Sequence, residues 1–490
     1  MTTDTREHPS LFAPVILLGL LGNVLFRGNM PGLNVALWVG AVAACWVRYR
    51  RAGQQSLPRL ERDLLLAAVA LALVWAWRAN ETLLLLNTMG LVVVFALLPL
   101  AAEPAAARAL LDLTVVRLVR AFVALGGRLA AGGFATILDE QRRPGEASRI
   151  GRVAPYVRGV LLAAPVLLVF GLLLGSADPV FGDFLTDTLR LNPERVAEHV
   201  VVTLGTAWVG AAILHGALPQ AGRWILAPGP ARAGGLGPVE VAVTLGLVNL
   251  LFAAFIAFQL PYLFGGAAWV ERTAGVTLAE YAREGFFQLV AVSTLVLPLL
   301  LLLSTRLDAE SRRAAQLFRS LAGIQVVLVL AIMASAAHRM ALYQAEYGLT
   351  EDRFFASAFM GGLAVTALWF VATVLRGHPA PFARGTLLAW GAWLFTLNAV
   401  NPERVIVETN LRRASSVRSF DVYYHGKLGA DAVPALVAAL PSLPEWQRRE
   451  LHNTLRARFG GPPSHDPREW QLALRRASNA VASLPAGTIP

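Results

Sequence analysis

Lysine, cysteine and charge are scarce in this chain of 490 residues. Its only lysine is Lys427, against 42 arginines, and its only cysteine is Cys45. A single cysteine excludes an intrachain disulfide and a cysteine-based metal site. Only 15% of the residues are charged, whereas soluble chains average about 25%, and 56% are hydrophobic. The composition therefore predicts a membrane protein.

Motifs for catalysis, metal binding and phosphate binding are also missing. The eight histidines occur in no HExxH or comparable ligand spacing, although a cluster assembled only by folding stays open. The glycines of residues 233–237 have no preceding strand and no following lysine, so a phosphate loop is not indicated. The sequence predicts no metal, no cofactor and no catalytic residues, and it leaves enzymatic activity undecided.

Long apolar runs repeat along the chain. A helix needs about 20 mostly apolar residues to cross a bilayer. The run Leu11–Phe26 lacks a small-residue cleavage site after it, so we expect a retained first helix. In all we predict eleven spans, at residues 11–26, 30–47, 63–78, 82–102, 158–176, 196–217, 239–264, 278–304, 316–338, 354–375 and 384–400.

One further apolar stretch, Leu110–Gly133, contains Arg117, Arg120 and Arg128. Three arginines at the bilayer centre would cost several kcal/mol, so this stretch is expected to lie flat on the membrane surface. Spanning is the alternative.

These features predict an all-α fold: a polytopic transmembrane helical bundle with an interfacial amphipathic helix and a small C-terminal extramembrane helical domain. The expected parts are an N-terminal tail (1–10), a four-helix membrane subdomain (11–102), an amphipathic helix with a basic loop (103–157), the main membrane domain (158–400) and a tail domain (401–490).

Arginine placement predicts the orientation. The five loops on the side of the N-terminus hold 22 arginines, whereas the five opposite loops hold eight. Because cytoplasmic loops are enriched in basic residues, we expect a cytoplasmic N-terminus and an outward-facing tail. Dispersal of the arginines over short loops argues against nucleic acid as a partner.

The tail changes to a polar, helical pattern. Trp446, Leu451, Leu455 and Phe459 recur near helical spacing, with Gly460 as the expected C-terminal cap. Residues 466–484 repeat this design, with Trp470 and Leu474 one turn apart on the expected apolar face.

Polar residues collect at helix ends on the tail side of the predicted bundle. Gly348 is expected to end the ninth span and Thr350 to cap the next helix. Polar side chains that share helical faces here predict a ligand-binding site, partly closed by the tail. Its candidate residues are Tyr281, Glu284, Gln288, Arg339, Tyr343, Glu346, Asn401, Glu408 and Asn410.

Simpler interpretations stay open for these residues. The tyrosines could form an interfacial belt, and the charges could pair with one another or lie among headgroups. Asn87 and Asn249, within spans, are expected to hydrogen-bond between helices.

Several segments together resemble an uncharacterised bacterial multi-pass membrane protein family, the domain of unknown function 4173, and its relative 4153. The resemblance lies in residues 281–287, 339–343, 347–350 and 429–436, with Asn401, Pro402 and Asn410, whereas Tyr423-Tyr424-His425 departs from the family pattern. It implies a multi-pass fold and supports the residues of the tail side, without implying a substrate.

Three functions follow as hypotheses. The first is a protein that binds, senses or transports a ligand at its outer face. The second is a membrane-embedded enzyme that acts on a lipid-linked substrate, and the third is a structural scaffold of a membrane complex. Membrane lipids are expected partners, and another membrane protein is an open one.

Overall fold

The computed structural model describes residues 9–103, 114–142, 193–218, 221–226, 235–264, 286–308, 310–414, 420–462 and 464–485. Eleven long helices precede residue 401 in these ranges: α1 (Phe12–Phe26), α2 (Leu33–Ala52), α3 (Arg59–Trp77), α4 (Glu81–Ala101), α5 (Val115–Arg142), α6 (Pro193–Leu214), α7 (Pro238–Phe264), α8 (Phe286–Arg306), α9 (Arg312–Tyr347), α10 (Glu351–Phe370, continued by a π-helical turn, Val371–Leu375) and α11 (Ala380–Val400).

The tail, residues 401–490, contributes five further helices to the described part of the chain. They are α12 (Pro402–Arg413), α13 (Val422–Lys427), α14 (Val433–Ala439), α15 (Glu445–Phe459) and α16 (Leu472–Ala482). The predicted all-helical character is thereby confirmed, since the described residues form no strand beyond one isolated bridge between Leu236 and Leu307.

Seven helices within the described ranges are long and apolar enough to cross a membrane: α4, α5, α6, α7, α8, α9 and α10. Six of them coincide with predicted spans. Four more helices form where spans were predicted but are not among the seven: α1, α2, α3 and α11. Helix α1 has only 15 residues. The span predicted at 158–176 lies outside the described residues, so the count of eleven stays a prediction.

Four apolar cores hold the described helices together. One joins α1 to α4 with α6, a second joins α7 to α11, a third lies within the tail, and a fourth joins α5 to α4. The predicted polar contacts between helices are present as well: Asn87 Nδ2 donates to Asn398 Oδ1 over 3.1 Å, and Asn249 Nδ2 donates to the Leu321 carbonyl over 2.9 Å.

Helix α5, in the stretch predicted to lie on the surface, is long enough to span, so length does not decide between the alternatives. Trp208 Nε1 of α6 donates to the Leu129 carbonyl (2.6 Å), and Thr136 Oγ1 lies 2.9 Å from Nε2 of His215, the residue that follows α6. Helix α5 also shares a cluster with Leu97 and Leu100 of α4. All these partners lie near the C-terminal ends of α4 and α6, which favours a helix crossing those ends.

The tail packs on one end of the membrane helices, which we call the tail face. It comprises three turns: residues 27–32, 78–80 and 348–350. Leu33 N donates to the Trp470 carbonyl over 3.1 Å, and Leu349 belongs to the apolar core of the tail.

Within the tail, one predicted helical face is confirmed in part and the other is wrong. On α15, Leu451 and Leu455 are fully buried and Phe459 packs against the tail core, but Trp446 is 56% exposed. Gly460 follows the last residue of α15 as expected. Trp470, however, precedes α16, and Leu474 is 41% exposed. Ala473, Ala477 and Val481 form the buried face instead, because small residues allow α16 to pack closely on its neighbours.

Candidate functional site

A cluster of buried polar side chains joins the tail to the tail face. We call it the junction and define it as Arg78, Asn80, Glu351, Glu403 and Asp431. Arg78 and Asn80 lie in the turn between α3 and α4, and Glu351 is the first residue of α10. Glu403 lies in the first turn of α12, and Asp431 precedes α14. Four separate chain segments thus meet here.

An ion pair anchors the junction. Arg78 Nη1 donates to Asp431 Oδ1 over 2.9 Å, and both side chains are more than nine-tenths buried. Arg78 Nε also donates to the Asn398 carbonyl at the C-terminal end of α11 (2.9 Å). The other oxygen of Asp431 accepts from the backbone N–H groups of Ala79 (2.7 Å) and Asn80. Both charges are therefore paired and hydrogen-bonded, as buried charges must be.

Asn80 lies between the two glutamates. Its Oδ1 accepts from Leu83 N over 3.0 Å and so caps α4. Its Nδ2 donates to Glu403 Oε1 over 2.9 Å and also to Glu351 Oε1. One neutral amide group therefore supplies hydrogen bonds to two acidic side chains.

Glu403 is the least satisfied member of the junction. It is 1% exposed, and its Oε1 also accepts from Gly429 N over 3.1 Å. Its Oε2 is buried and has no hydrogen-bond partner within the described ranges. Burial raises the pKa of Glu403 to about 7; the hydrogen bond from Asn80 lowers the pKa, and the charges of Asp431 and Glu351 raise it further. The carboxyl group therefore exchanges a proton near neutral pH.

Tyr424 closes the junction on the side of α13. Glu351 N donates to Tyr424 Oη over 2.9 Å. Burial raises the pKa of Tyr424 to about 12, and the backbone hydrogen bond from Glu351 partly opposes this rise. The phenol is therefore neutral at physiological pH and adds no charge beside the carboxyl groups.

A second connection joins the tail to the turn between α9 and α10. Asn410 Nδ2 donates to the Leu349 carbonyl over 2.7 Å, and Leu349 N donates to Asn410 Oδ1 over 2.8 Å. Gly348 ends α9 with φ of 81°, as predicted, and a Cβ atom there would lie 2.8 Å from Asn410 Oδ1. Thr350 precedes α10 as expected, but its side chain makes no capping hydrogen bond.

His425 supports this connection as a neutral ring. Burial lowers its pKa, although the hydrogen bond to Asp421 opposes the change. The Asp421 carbonyl lies 2.7 Å from Nδ1, so Nδ1 carries the proton and donates. Nε2 is then free to accept from Asn410 Nδ2 at 3.1 Å.

The predicted site residues on the membrane helices differ in exposure and in their contacts. Tyr281 and Glu284 lie outside the described residues. Gln288 and Glu346 are exposed, whereas Arg339 is buried in α9. The Tyr343 ring lies under the guanidinium of Arg353, with the Arg353 Cζ atom 4.0 Å from the ring centroid. The common site thus stays a prediction.

Among the predicted tail residues, Asn401 and Asn410 contact the tail face or the junction. Asn401, with φ of 57°, caps α12 through Oδ1, and its Nδ2 donates to the Asp431 carbonyl over 3.0 Å. Glu408, in contrast, pairs with Arg404 on its own helix at 2.6 Å, with 44% of its side chain exposed.

Sequence reasoning missed most of the junction. Neither Arg78, a lone arginine at the end of a predicted span, nor Glu351, an acidic residue after the expected cap Thr350, carries a pattern that marks a site. Asp431, however, lies within residues 429–436, and Glu403 follows Asn401-Pro402, both parts of the family resemblance. Acidic residues within those segments were the available signal.

No group of three or more histidine, cysteine, aspartate or glutamate side chains in the described part of the chain is arranged to hold a metal ion.

A family model described as "Domain of unknown function (DUF4153)" matches residues 65–439. No curated protein and no solved structure matches the chain. The match confirms one of the two families in the sequence resemblance and includes every residue of the junction.

Proposed function

The chain belongs to the DUF4153 family of unknown function, and we propose that it is a membrane protein that binds a ligand at its tail face, for sensing or for transport. The junction is the centre of this function, and the site predicted from the sequence extends it through Gln288 on α8 and through Arg339, Tyr343 and Glu346 on α9. Ligand binding would change the contacts between the tail and the membrane helices.

The observation that supports this proposal most directly is Glu403 Oε2, which is buried and has no hydrogen-bond partner among the described residues. A buried polar atom without a hydrogen bond costs about 1–3 kcal/mol, and a purely structural joint has no reason to retain it. Perturbed carboxyl groups of this kind concentrate at functional sites. The location adds support, because a proton gained or lost here acts on contacts of both the tail and the helix ends.

A membrane-embedded enzyme is the second candidate function. Glu403 has the pKa of an acid or base catalyst that works near neutral pH, and Glu351 is the second carboxyl group that such chemistry would need. The burial of Glu403 argues against direct contact with a substrate in this conformation.

A structural scaffold of a membrane complex is the third candidate function. The buried ion pair of Arg78 and Asp431 supports it.

Complementation of a deletion strain separates these functions. We expect Glu351→Gln and Glu403→Gln to accumulate in the membrane and to unfold at temperatures no lower than that of wild type, yet to fail in restoring the phenotype of the deletion. Glu445→Gln, which changes an exposed glutamate paired with Arg449 on α15, is the matched control and should restore it. Full restoration by both junction variants would contradict the proposal, and failure of both to accumulate would favour a scaffold.

We further propose that the tail face is the outer face of a bacterial inner membrane and that α5 lies along the cytoplasmic surface. The arginine asymmetry supports this orientation. In a Cys45→Ala background, a cysteine introduced at His465 should react with an impermeant maleimide in intact cells, and a cysteine at Arg51 should react only after permeabilisation. The opposite pattern would reverse the orientation.

A further inference from the structure

A cavity of about 310 Å³ lies between the turn of residues 27–32 and helices α15 and α16. Two hydrogen bonds hold its walls together: Leu33 N donates to the Trp470 carbonyl (3.1 Å), and Met30 N donates to Glu469 Oε1 (3.0 Å). Gly32 allows the close approach, since a Cβ atom there would lie 2.9 Å from the Glu469 backbone. The volume is at the lower end of the range for small-ligand sites, about 300–1,000 Å³.

The polar lining of the cavity favours an anion. Two guanidinium groups line it, those of Arg458 and Arg475. Arg458 is held in place, because its Nη1 donates to the carbonyls of Gly426 and Leu428. Arg475 makes no ion pair with any residue in the described ranges, and it is exposed. Guanidinium groups match the geometry of phosphate oxygens through paired N–H donors.

Glu469 does not cancel this positive charge. One of its oxygens accepts from Met30 N, so the carboxylate is directed toward the turn that it holds. The cavity is then lined by two positively charged groups, Arg458 and Arg475, and by one negatively charged group, Glu469. The cavity keeps a net positive charge for a ligand.

The apolar lining and the location favour an amphiphile. Met30, Phe459, Trp470 and Leu474 supply apolar surface around the two arginines. The cavity begins where the exposed apolar side of α1 ends: Leu20 and Val24 are more than half exposed, as is Met30 in the following turn. Apolar side chains exposed along a membrane helix face lipid, and the first polar groups beyond them mark the headgroup level.

We propose that this cavity binds the phosphate-bearing headgroup of an anionic amphiphile, with Arg475 and Arg458 on the phosphate and Phe459 and Trp470 beside the glycerol region. Because this names the ligand of the tail-face function, it rests on the function proposed above.

Gln471 connects the cavity to the junction. It lines the cavity, it is 6% exposed, and its Nε2 donates to the carbonyls of Trp75 (3.0 Å) and Arg78 (2.7 Å). Arg78 in turn holds Asp431. A ligand that shifts Gln471 therefore acts on the backbone of the residue that anchors the tail.

Native mass spectrometry of the full-length protein, released from detergent, tests the site. The probes are dihexanoyl phosphatidylglycerol and inorganic phosphate, each titrated against wild type, Arg475→Gln and Arg476→Gln. Arg476 is the matched control, because it is the next residue of α16, is exposed and does not line the cavity. We expect Arg475→Gln to weaken binding of the lipid probe at least ~10-fold, with Arg476→Gln within ~2-fold of wild type.

Each outcome decides the question. Loss of lipid binding in Arg475→Gln alone supports a membrane lipid as the ligand. If phosphate binds as tightly as the lipid and shows the same loss, the phosphate site stands and its ligand is a soluble phosphate compound. Equal binding of both probes by all three proteins overturns the site. This measurement needs no cellular phenotype, so its failure would leave the complementation test of the junction unaffected.

Discussion

Asp431→Asn is expected to lower the free energy of unfolding by about 3–5 kcal/mol, because it leaves the Arg78 guanidinium buried without its anion. The substitution keeps the size of the side chain, so packing is unchanged. It also places an amide N–H₂ group where one carboxylate oxygen accepted a hydrogen bond. The loss should be visible as a lower unfolding midpoint in lipid nanodiscs and as easier proteolysis of the tail.

Two controls identify the cause of this loss. Glu445→Gln breaks an ion pair whose side chains are 42% and 62% exposed, and it should cost about 1 kcal/mol or less. The double variant Arg78→Met with Asp431→Asn should recover part of the stability, because no unpaired charge is then buried. A loss below about 1 kcal/mol for Asp431→Asn would show that the pair does not anchor the tail. No recovery in the double variant would attribute the loss to hydrogen bonding instead.

Glu403→Gln is expected to change the pH dependence of stability. The pKa of Glu403 is raised to about 7 in the folded protein, so the folded state holds this proton more tightly than the unfolded chain. Glu403 therefore makes its largest contribution to the free energy of unfolding below the pKa of the unfolded chain, about 4.5. This contribution decreases as the pH rises from about 4.5 to 7 and is lost above that range. Because one pKa unit corresponds to 1.36 kcal/mol, the loss amounts to about 3 kcal/mol.

Glutamine resembles the protonated carboxyl group at every pH, so the variant should avoid this loss. We expect the stability of Glu403→Gln, relative to wild type, to rise by about 2–3 kcal/mol between pH 5 and pH 8. Unfolding midpoints measured across that range test the expectation, with Glu445→Gln as a control whose difference from wild type should stay flat. A constant difference for Glu403→Gln as well would show that Glu403 does not titrate in this range.

Local features of the chain predicted most of its helices. A membrane helix must bury about 20 successive residues in hydrocarbon. A run of consecutive apolar residues therefore predicts such a helix directly, as it does for α4, α7 and α9. Gly348 could be assigned to the end of α9 because a helix often ends with glycine in a left-handed conformation. The face of α15 with Leu451 and Leu455 follows in the same way, from spacing within one helix.

The face of α16 shows where local spacing fails. Trp470 and Leu474 are the larger apolar residues, yet the buried face of α16 is formed by Ala473 and Ala477. Which face is buried depends on where α14 and α15 lie, which the sequence of α16 does not contain. Leu474 lines the cavity instead.

By itself, the sequence determined that this protein is a helical membrane protein, where most of its helices begin and end, and which end of the bundle collects polar residues. Only the tertiary structure decided that Arg78 pairs with Asp431, 353 positions later, and that Asn80 lies between Glu351 and Glu403. Each of these side chains is unremarkable in its own segment. The ion pair and the raised pKa of Glu403 arise because folding removes water from groups that the chain keeps far apart, so no local pattern records them.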